Sequence, residues 1–558
     1  MKKPRLSEMT LREKISQCLV GYQSAINRRV EEDFSIIRTE EEKAAVISRE
    51  QFGTIWAQTG HTDYDLDKSE YRTHKENSAY FRQWLKKQDD CLDIHALLVS
   101  DMEREGAGAE FEDLTCVCPP QAIAAADSEE LTYRLGACVA KELKCTGINW
   151  RWAPVVDISN RFSPHVMRTY SPDDPDMVIR HANAHIAGIQ SQGVAATAKH
   201  FPGGDPYEYR DAHVSLTKIH SSMEEWRAVQ GRIFQEVIDA GVYSVMVSHV
   251  AFPAADDTKI NGKYIPSSIS KKIVTDLLKG EMGFKGVVVC DALGMASLTS
   301  VADYEDLIVL LIQAGIDVII GSRLYAADIL EKAVVDGRIP ESRFDDACQR
   351  VLDMKEKLGL FDDDYTVGSG VAADLVEETR KVNEEIAKRS ITLVRDRRNR
   401  LPFNKDDIKH ITIIASSHTD YFHKELEYMK EEFERRGATV TIQRRLQNEP
   451  ELRKISAESD LIIYAAYLAG HEPKGMPSFY GEEMNTFTFA FAVGAEKSIG
   501  VSLGHPYIHY DTMEQADIFL NIYGRGSACM KAFVEAIYGE ISIVGKSPVK
   551  LVPDYDIW

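Results

Sequence analysis

No apolar run in the 558-residue chain approaches the roughly 18 residues needed to cross a bilayer, so no membrane-spanning segment is expected. Basic residues are in deficit. The 66 Lys and Arg against 87 Asp and Glu leave a net charge of −21. Phosphate backbones are bound through a basic face, so nucleic acid is not an expected partner. The nine cysteines form an odd set without a paired Cys-x-x-Cys. Cys116 and Cys118 make a lone Cys-x-Cys, weak as a metal motif, and reduced, mostly buried thiols are expected. The start, "MKKPRLSEMTLREKISQCLV", has helically spaced apolar positions interrupted by Arg, Glu and Lys. That is no signal-peptide core, and a cytoplasmic address is expected. Short tandem repeats and low-complexity tracts do not occur. No Gly-x-Gly-x-x-Gly follows a strand pattern, "YGRGSA" (523–528) included, so a dinucleotide site is unsupported. "HANAH" (181–185) has metal-ligand spacing but lacks the Glu of His-Glu-x-x-His. His181 and His185 therefore read as exposed or packing histidines, and no metal and no cofactor are expected.

What the chain does have is length for two or three domains and a recurring pattern. Apolar β-rich runs alternate with amphipathic stretches. The runs are 52–60, 96–101, 152–157, 194–200, 242–249, 286–291 and 316–321. The helical patterns between them include 129–144, 175–192, 222–240, 267–280 and 324–335. Near-continuous apolar strands alternating with helices predict a parallel sheet covered on both faces. Seven such strands suit a TIM-like (β/α)8 barrel with one strand missed or degenerate. Most runs end in polar residues: Asp101, Asp157, Lys199 with His200, Ser248 with His249, and Asp291. In a barrel those ends converge on one rim, the rim that carries active sites.

The pattern changes near residue 360, where "GLFDDDYTVGSG" (359–370) reads as the start of a linker. A helix is predicted over 374–390, then strands at 410–416, 438–443, 460–467, 498–504 and 516–524. The expected organisation is a catalytic barrel over 1–358, a linker over 359–384, and an α/β sandwich domain over 385–558.

One stretch is unusual in a loop. "KHFPGGDPYEYRDAH" (199–213) combines turn formers with Lys199, His200, Asp211 and His213. Asp211 and His213, two apart, fall on the same side of an extended segment. The carboxylate can then accept from one ring nitrogen and favour the imidazolium, although Asp-x-His also occurs as a surface pair. Asp291 closes "GVVVCD" (286–291) as a nucleophile at a concave mouth or as a helix N-cap. Lys199 reads as a Schiff-base lysine or as a donor to a sugar hydroxyl.

The order Asp-x-Glu (101–103), Arg-x-Tyr (168–170), Lys-His-Phe-Pro-Gly (199–203), Asp-x-His (211–213) and "GFKGVVVCDALGM" (283–295) resembles glycoside hydrolase family three. The loop histidine resembles its β-N-acetylglucosaminidase branch. The resemblance covers roughly residues 8–360 and continues more weakly into the C-terminal part, through "GHPYIHYD" and "GKSPVKL". It implies a retaining glycosidase with Asp291 as nucleophile and His213, paired with Asp211, as acid/base. It implies sugar-binding roles for Asp101, Arg168, Lys199 and His200, with His249 a weaker match. Two readings stay beside it: a β-N-acetylglucosaminide phosphorylase using the same residues, and a β-glucosidase or β-xylosidase whose acid is Glu482 or Glu483. The expected partner is a small-molecule or oligosaccharide substrate, not nucleic acid or membrane. Three positions depart from the family pattern: Gly204 where a histidine is usual, Arg104 after Asp-x-Glu where glycine is usual, and Ala292 after the nucleophile.

Overall fold

Thr10 and Glu13 satisfy each other's backbone N–H groups in a capping box, which starts the helix Leu11–Gln17. A strand follows almost at once, Leu19–Gly21 (β1), fully buried. This is the strand the sequence pattern conceals. The expected helical periodicity runs on to Val20, but the chain changes to β after one residue and the strand is only three residues long.

The computed structural model describes residues 2–27, 38–57, 77–163, 165–417, 422–444, 448–468, 478–479 and 481–551. Within them the chain divides into two compact units. The first comprises 1–115, 133–158 and 182–379; the second comprises 116–132, 159–181 and 380–558.

In the first unit, Thr54–Trp56 (β2), Leu97–Ser100 (β3), Trp150–Arg151 (β4), Thr197–Phe201 (β5), Ser244–Val247 (β6), Val287–Cys290 (β7) and Ile319–Ser322 (β8) join β1. Residues 58–60 of the first expected strand, 52–60, lie outside the described residues. Parallel ladders link β8, β1, β2, β3 and β4 in one arc and β5, β6 and β7 in another. Parallel bridges Trp150–Ala195 and Val289–Val318 connect the arcs at both ends. Eight parallel strands thus close on themselves as a TIM-like barrel, and every strand C-terminus faces one rim. Leu98, Ala198, Val245 and Val288 on these strands are fully buried.

The structure moves one expected strand. Residues 152–157 form no ladder, and the strand is confined to Trp150–Arg151. Beyond Arg151 the backbone keeps the Trp152 N–H bond to the Ser100 carbonyl, the Thr197 N–H bond to the Ala153 carbonyl and the bridge Val155–Lys199, while Pro154 has no N–H to donate.

The second unit has a six-stranded sheet. Its strands are Thr392–Asp396 (β9), His410–Ser417 (β10), Thr439–Arg444 (β11), Leu461–Tyr467 (β12), Ser498–Ser502 (β13) and Ile518–Asn521 (β14). The order is β9-β14-β13-β12-β10-β11, parallel except for the β9–β14 pair. Edge strand β9 was not expected. Ile462, Tyr464 and Phe519 sit in its apolar core. Among the described residues no helix is long and apolar enough to cross a membrane.

Candidate active site

Strand β5 delivers two candidates. Its register against β6 shifts between Lys199 and Phe201, an irregularity that breaks the alternation otherwise sending neighbours to opposite faces. Buried Lys199 places Nζ 2.5 Å from Asp101 Oδ1 and 2.8 Å from Glu103 Oε1. Both acids follow the end of β3. The His200 backbone N–H donates to Asp157 Oδ1, and its Nδ1 lies 2.7 Å from Asp157 Oδ2. A carboxylate only accepts, so Nδ1 carries the proton and Nε2 is the nitrogen for substrate.

Asp291 follows β7. Its Oδ1 accepts the Ala292 N–H at 2.7 Å, while Oδ2 takes no hydrogen bond among the described residues. Burial works to raise its pKa. The charges of His200 and His249, the Ala292 N–H and Lys199 outweigh it, and the carboxyl titrates below its ordinary value. His249 follows β6 and is fully buried. Its Nε2 donates to the Ala292 carbonyl at 3.1 Å, which leaves Nδ1 to accept from Ser268 Oγ at 2.7 Å. Nε2 thus holds the backbone beside Asp291, and Ser268 holds the ring. Burial is the main cause that lowers its pKa, ahead of the opposing Asp291 carboxylate, and His213 adds to the lowering.

The Asp-x-His pair meets through a turn. Buried Asp211 accepts both the His213 backbone N–H at 2.8 Å and Nδ1–H at 2.7 Å on one oxygen, an Asx turn that assigns proton exchange to Nε2. The loop is also tied to the segment after Asp291: Ala296 N–H donates to the His213 carbonyl at 3.0 Å and Ser297 N–H to that of Ala212 at 3.1 Å. His213 and Asp291 both lie in the electrostatic surroundings of His249. Gly203 has φ +110°, and a Cβ there would come within 2.3 Å of Gln230 Oε1. At Gly204 it would come within 2.1 Å of the Ile158 carbonyl. The left-handed φ calls for glycine at 203, and close approach to a backbone carbonyl calls for it at 204.

The first unit therefore gathers Asp101, Lys199, His200, His213, Asp211, His249 and Asp291 at the strand C-termini. Arg168 belongs to the second unit, where it is buried and its guanidinium donates to His165 Nδ1 at 2.6 Å. Glu483 is buried there too; the Glu482 side chain lies outside the described residues. His181 and His185 are buried, in keeping with the packing reading. Sequence reasoning passed over Asp157 as an imidazole partner and Ser268 as the tautomer setter of His249. The strand-terminal position of Asp157 was a signal; nothing near Ser268 was.

A closed parallel barrel with its ionisable groups collected at the strand C-termini is the architecture of a barrel enzyme. The chain belongs to glycosyl hydrolase family 3: residues 10–354 match the Glycosyl hydrolase family 3 N terminal domain. A Cellulomonas fimi β-N-acetylglucosaminidase/β-glucosidase is 28% identical over 478 residues, 81% of this chain and 83% of that protein. A Stenotrophomonas maltophilia β-hexosaminidase is 34% identical over 203 residues, 36% of this chain and 56% of that protein. Among solved structures, β-glucoside phosphorylase BglX is similar at a TM-score of 0.80 and 25% identity, covering 98% of this chain and 94% of that one.

Proposed function

We propose that the protein releases terminal β-linked N-acetylglucosamine with retention of configuration, through a covalent bond to Asp291. The observation that carries this reading is the Asp211–His213 pair, whose loop is hydrogen-bonded to the residues that follow Asp291. His213 Nε2–H gives its proton to the glycosidic oxygen as Asp291 Oδ2 attacks the anomeric carbon, and the aglycone leaves as an alcohol. Water then attacks the same carbon, His213 Nε2 takes its proton, and Asp291 is released as a carboxylate. The depressed pKa of Asp291 suits a nucleophile that must be ionised. Lys199, His200 and Asp101 would grip sugar hydroxyls. The N-acetylglucosamine specificity draws on the names of the Cellulomonas and Stenotrophomonas relatives.

Phosphorolysis is the second reading, favoured by the likeness to the β-glucoside phosphorylase. An imidazole does not repel incoming phosphate as a carboxylate acid/base would.

Kinetics on a panel of aryl β-glycosides will test these readings. The expected result is N-acetylglucosaminide turnover that Asp291→Ala abolishes. His213→Ala should lower kcat/KM by about 10²–10⁴-fold on poor leaving groups and much less on activated ones. An unimpaired His213→Ala would transfer the acid role elsewhere and refute the mechanism. Appearance of N-acetylglucosamine 1-phosphate when phosphate is added would establish phosphorolysis over hydrolysis.

A further inference from the structure

Beside the proposed nucleophile the first unit holds a cavity of about 500 Å³ that the mechanism above does not use. It begins at Ala292 and is walled by Tyr22, Trp56 and Tyr304, with Asp303 and Arg323 on its lining. Tyr22 and Trp56 lie with ring centroids 5.2 Å apart, an apolar wall of the kind on which a ring can rest.

Arg323 gives this cavity its chemistry. Its guanidinium sits 4.2 Å from the Tyr304 ring centroid, and Nη1 donates to Tyr325 Oη at 2.6 Å. Its backbone N–H donates to Tyr304 Oη at 2.8 Å. Burial keeps Tyr304 a neutral phenol, its pKa pushed up to about 12. Among the described residues Arg323 forms no ion pair; Asp303, an acid on the same lining, stays beyond ion-pair distance. The contrast with Lys199 is direct, since that cation is neutralised by two carboxylates. In a chain with 21 excess negative charges, an arginine held by stacking, with four of its five N–H donors uncommitted to side chains among the described residues, is a receptor for an oxyanion.

We propose that this cavity is a leaving-group subsite in which Arg323 selects aglycones bearing an anionic substituent. The apolar wall takes the body of the aglycone and the guanidinium takes its carboxylate or phosphate. The inference rests on Asp291 being the nucleophile, which fixes the cavity as adjacent to the cleaved bond.

The test uses two aryl β-glycosides, 4-nitrophenyl and 3-carboxy-4-nitrophenyl, on whichever sugar the wild type turns over in the panel above. A failed N-acetylglucosamine assignment therefore leaves this test intact. Wild type is compared with Arg323→Gln and Arg323→Lys, and intrinsic leaving-group reactivity cancels in the ratio of ratios. Arg323→Gln should lose about tenfold more kcat/KM on the carboxylated substrate than on the neutral one. Arg323→Lys should regain part of that preference, and the wild-type preference should shrink at high salt. Equal losses on both substrates would overturn the proposal. So would an unchanged ratio accompanied by a raised phosphate requirement, which would assign Arg323 to an incoming phosphate instead.

Discussion

His213 and Asp211 are two positions apart, and that spacing was readable. The reason they meet was not. An extended segment was expected to align them; the structure uses a turn in which one carboxylate oxygen serves both the backbone and the ring. Asp211→Asn is a clean probe, because an amide oxygen can still accept the backbone N–H while the negative charge opposite the imidazolium is gone. The expected outcome is a fall of about 10²-fold in kcat with KM changed only a few-fold and an unaltered circular-dichroism spectrum. A loss under threefold would reduce Asp211 to a structural role. His249 illustrates the opposite limit of legibility. The family resemblance offered it as a weaker sugar-binding match, but the hydroxyl that fixes its tautomer comes from Ser268, on a 3₁₀ turn (Ser267–Ile269) that no pattern announces.

At the scale of elements, long amphipathic helices such as Glu129–Thr146 and Ala373–Ser390 were legible because burial follows the 3.6-residue period. The short pieces were not. β1 is three residues long, and β4 lies upstream of its apolar run. The element tied to the His213 loop is also short, the single turn Ala296–Thr299. Ala296 is its first helical residue and Met295 before it is extended, a setting where proline is tolerated. Ala296→Pro would thus replace the N–H bonded to the His213 carbonyl by the ring Cδ, which removes the hydrogen bond and pushes that carbonyl away. The expected result is a several-fold or greater drop in kcat/KM on poor leaving groups, a smaller drop on activated ones, and a melting temperature within a few degrees of wild type. Equal losses on both classes would mean that the hydrogen bond does not position the acid.

Across the whole molecule, buried ionisable groups respond to acid with opposite signs. In the second unit His181 and His505 are buried and their pKa values fall from 6.5 to about 4. His505 is fixed as a neutral tautomer, donating to the Arg161 carbonyl and accepting from the Tyr507 N–H. An unfolded chain takes up protons at these sites before the folded one does. Stability is therefore full above about pH 6.5 and falls as pH drops toward 4, by on the order of 3 kcal/mol per histidine. In the first unit Glu142 acts with the opposite sign. Burial raises its pKa to about 7, so stability is lost as pH rises from about 4.5 to 7. His505→Gln should thus stabilise more at pH 5 than at pH 7.5, and Glu142→Gln more at pH 7.5 than at pH 5. Urea midpoints at the two pH values check both, and matching shifts at both would refute the assignment. The division of the chain carries one more consequence, for biosynthesis. Residues 116–132 and 159–181, Arg168 among them, belong to a body whose remainder starts only at residue 380. A ribosome releases these two segments roughly 10 s or more before their partner strands exist. Through that interval nascent apolar surface has no lasting home, and truncating the gene after the barrel would make the orphaning permanent.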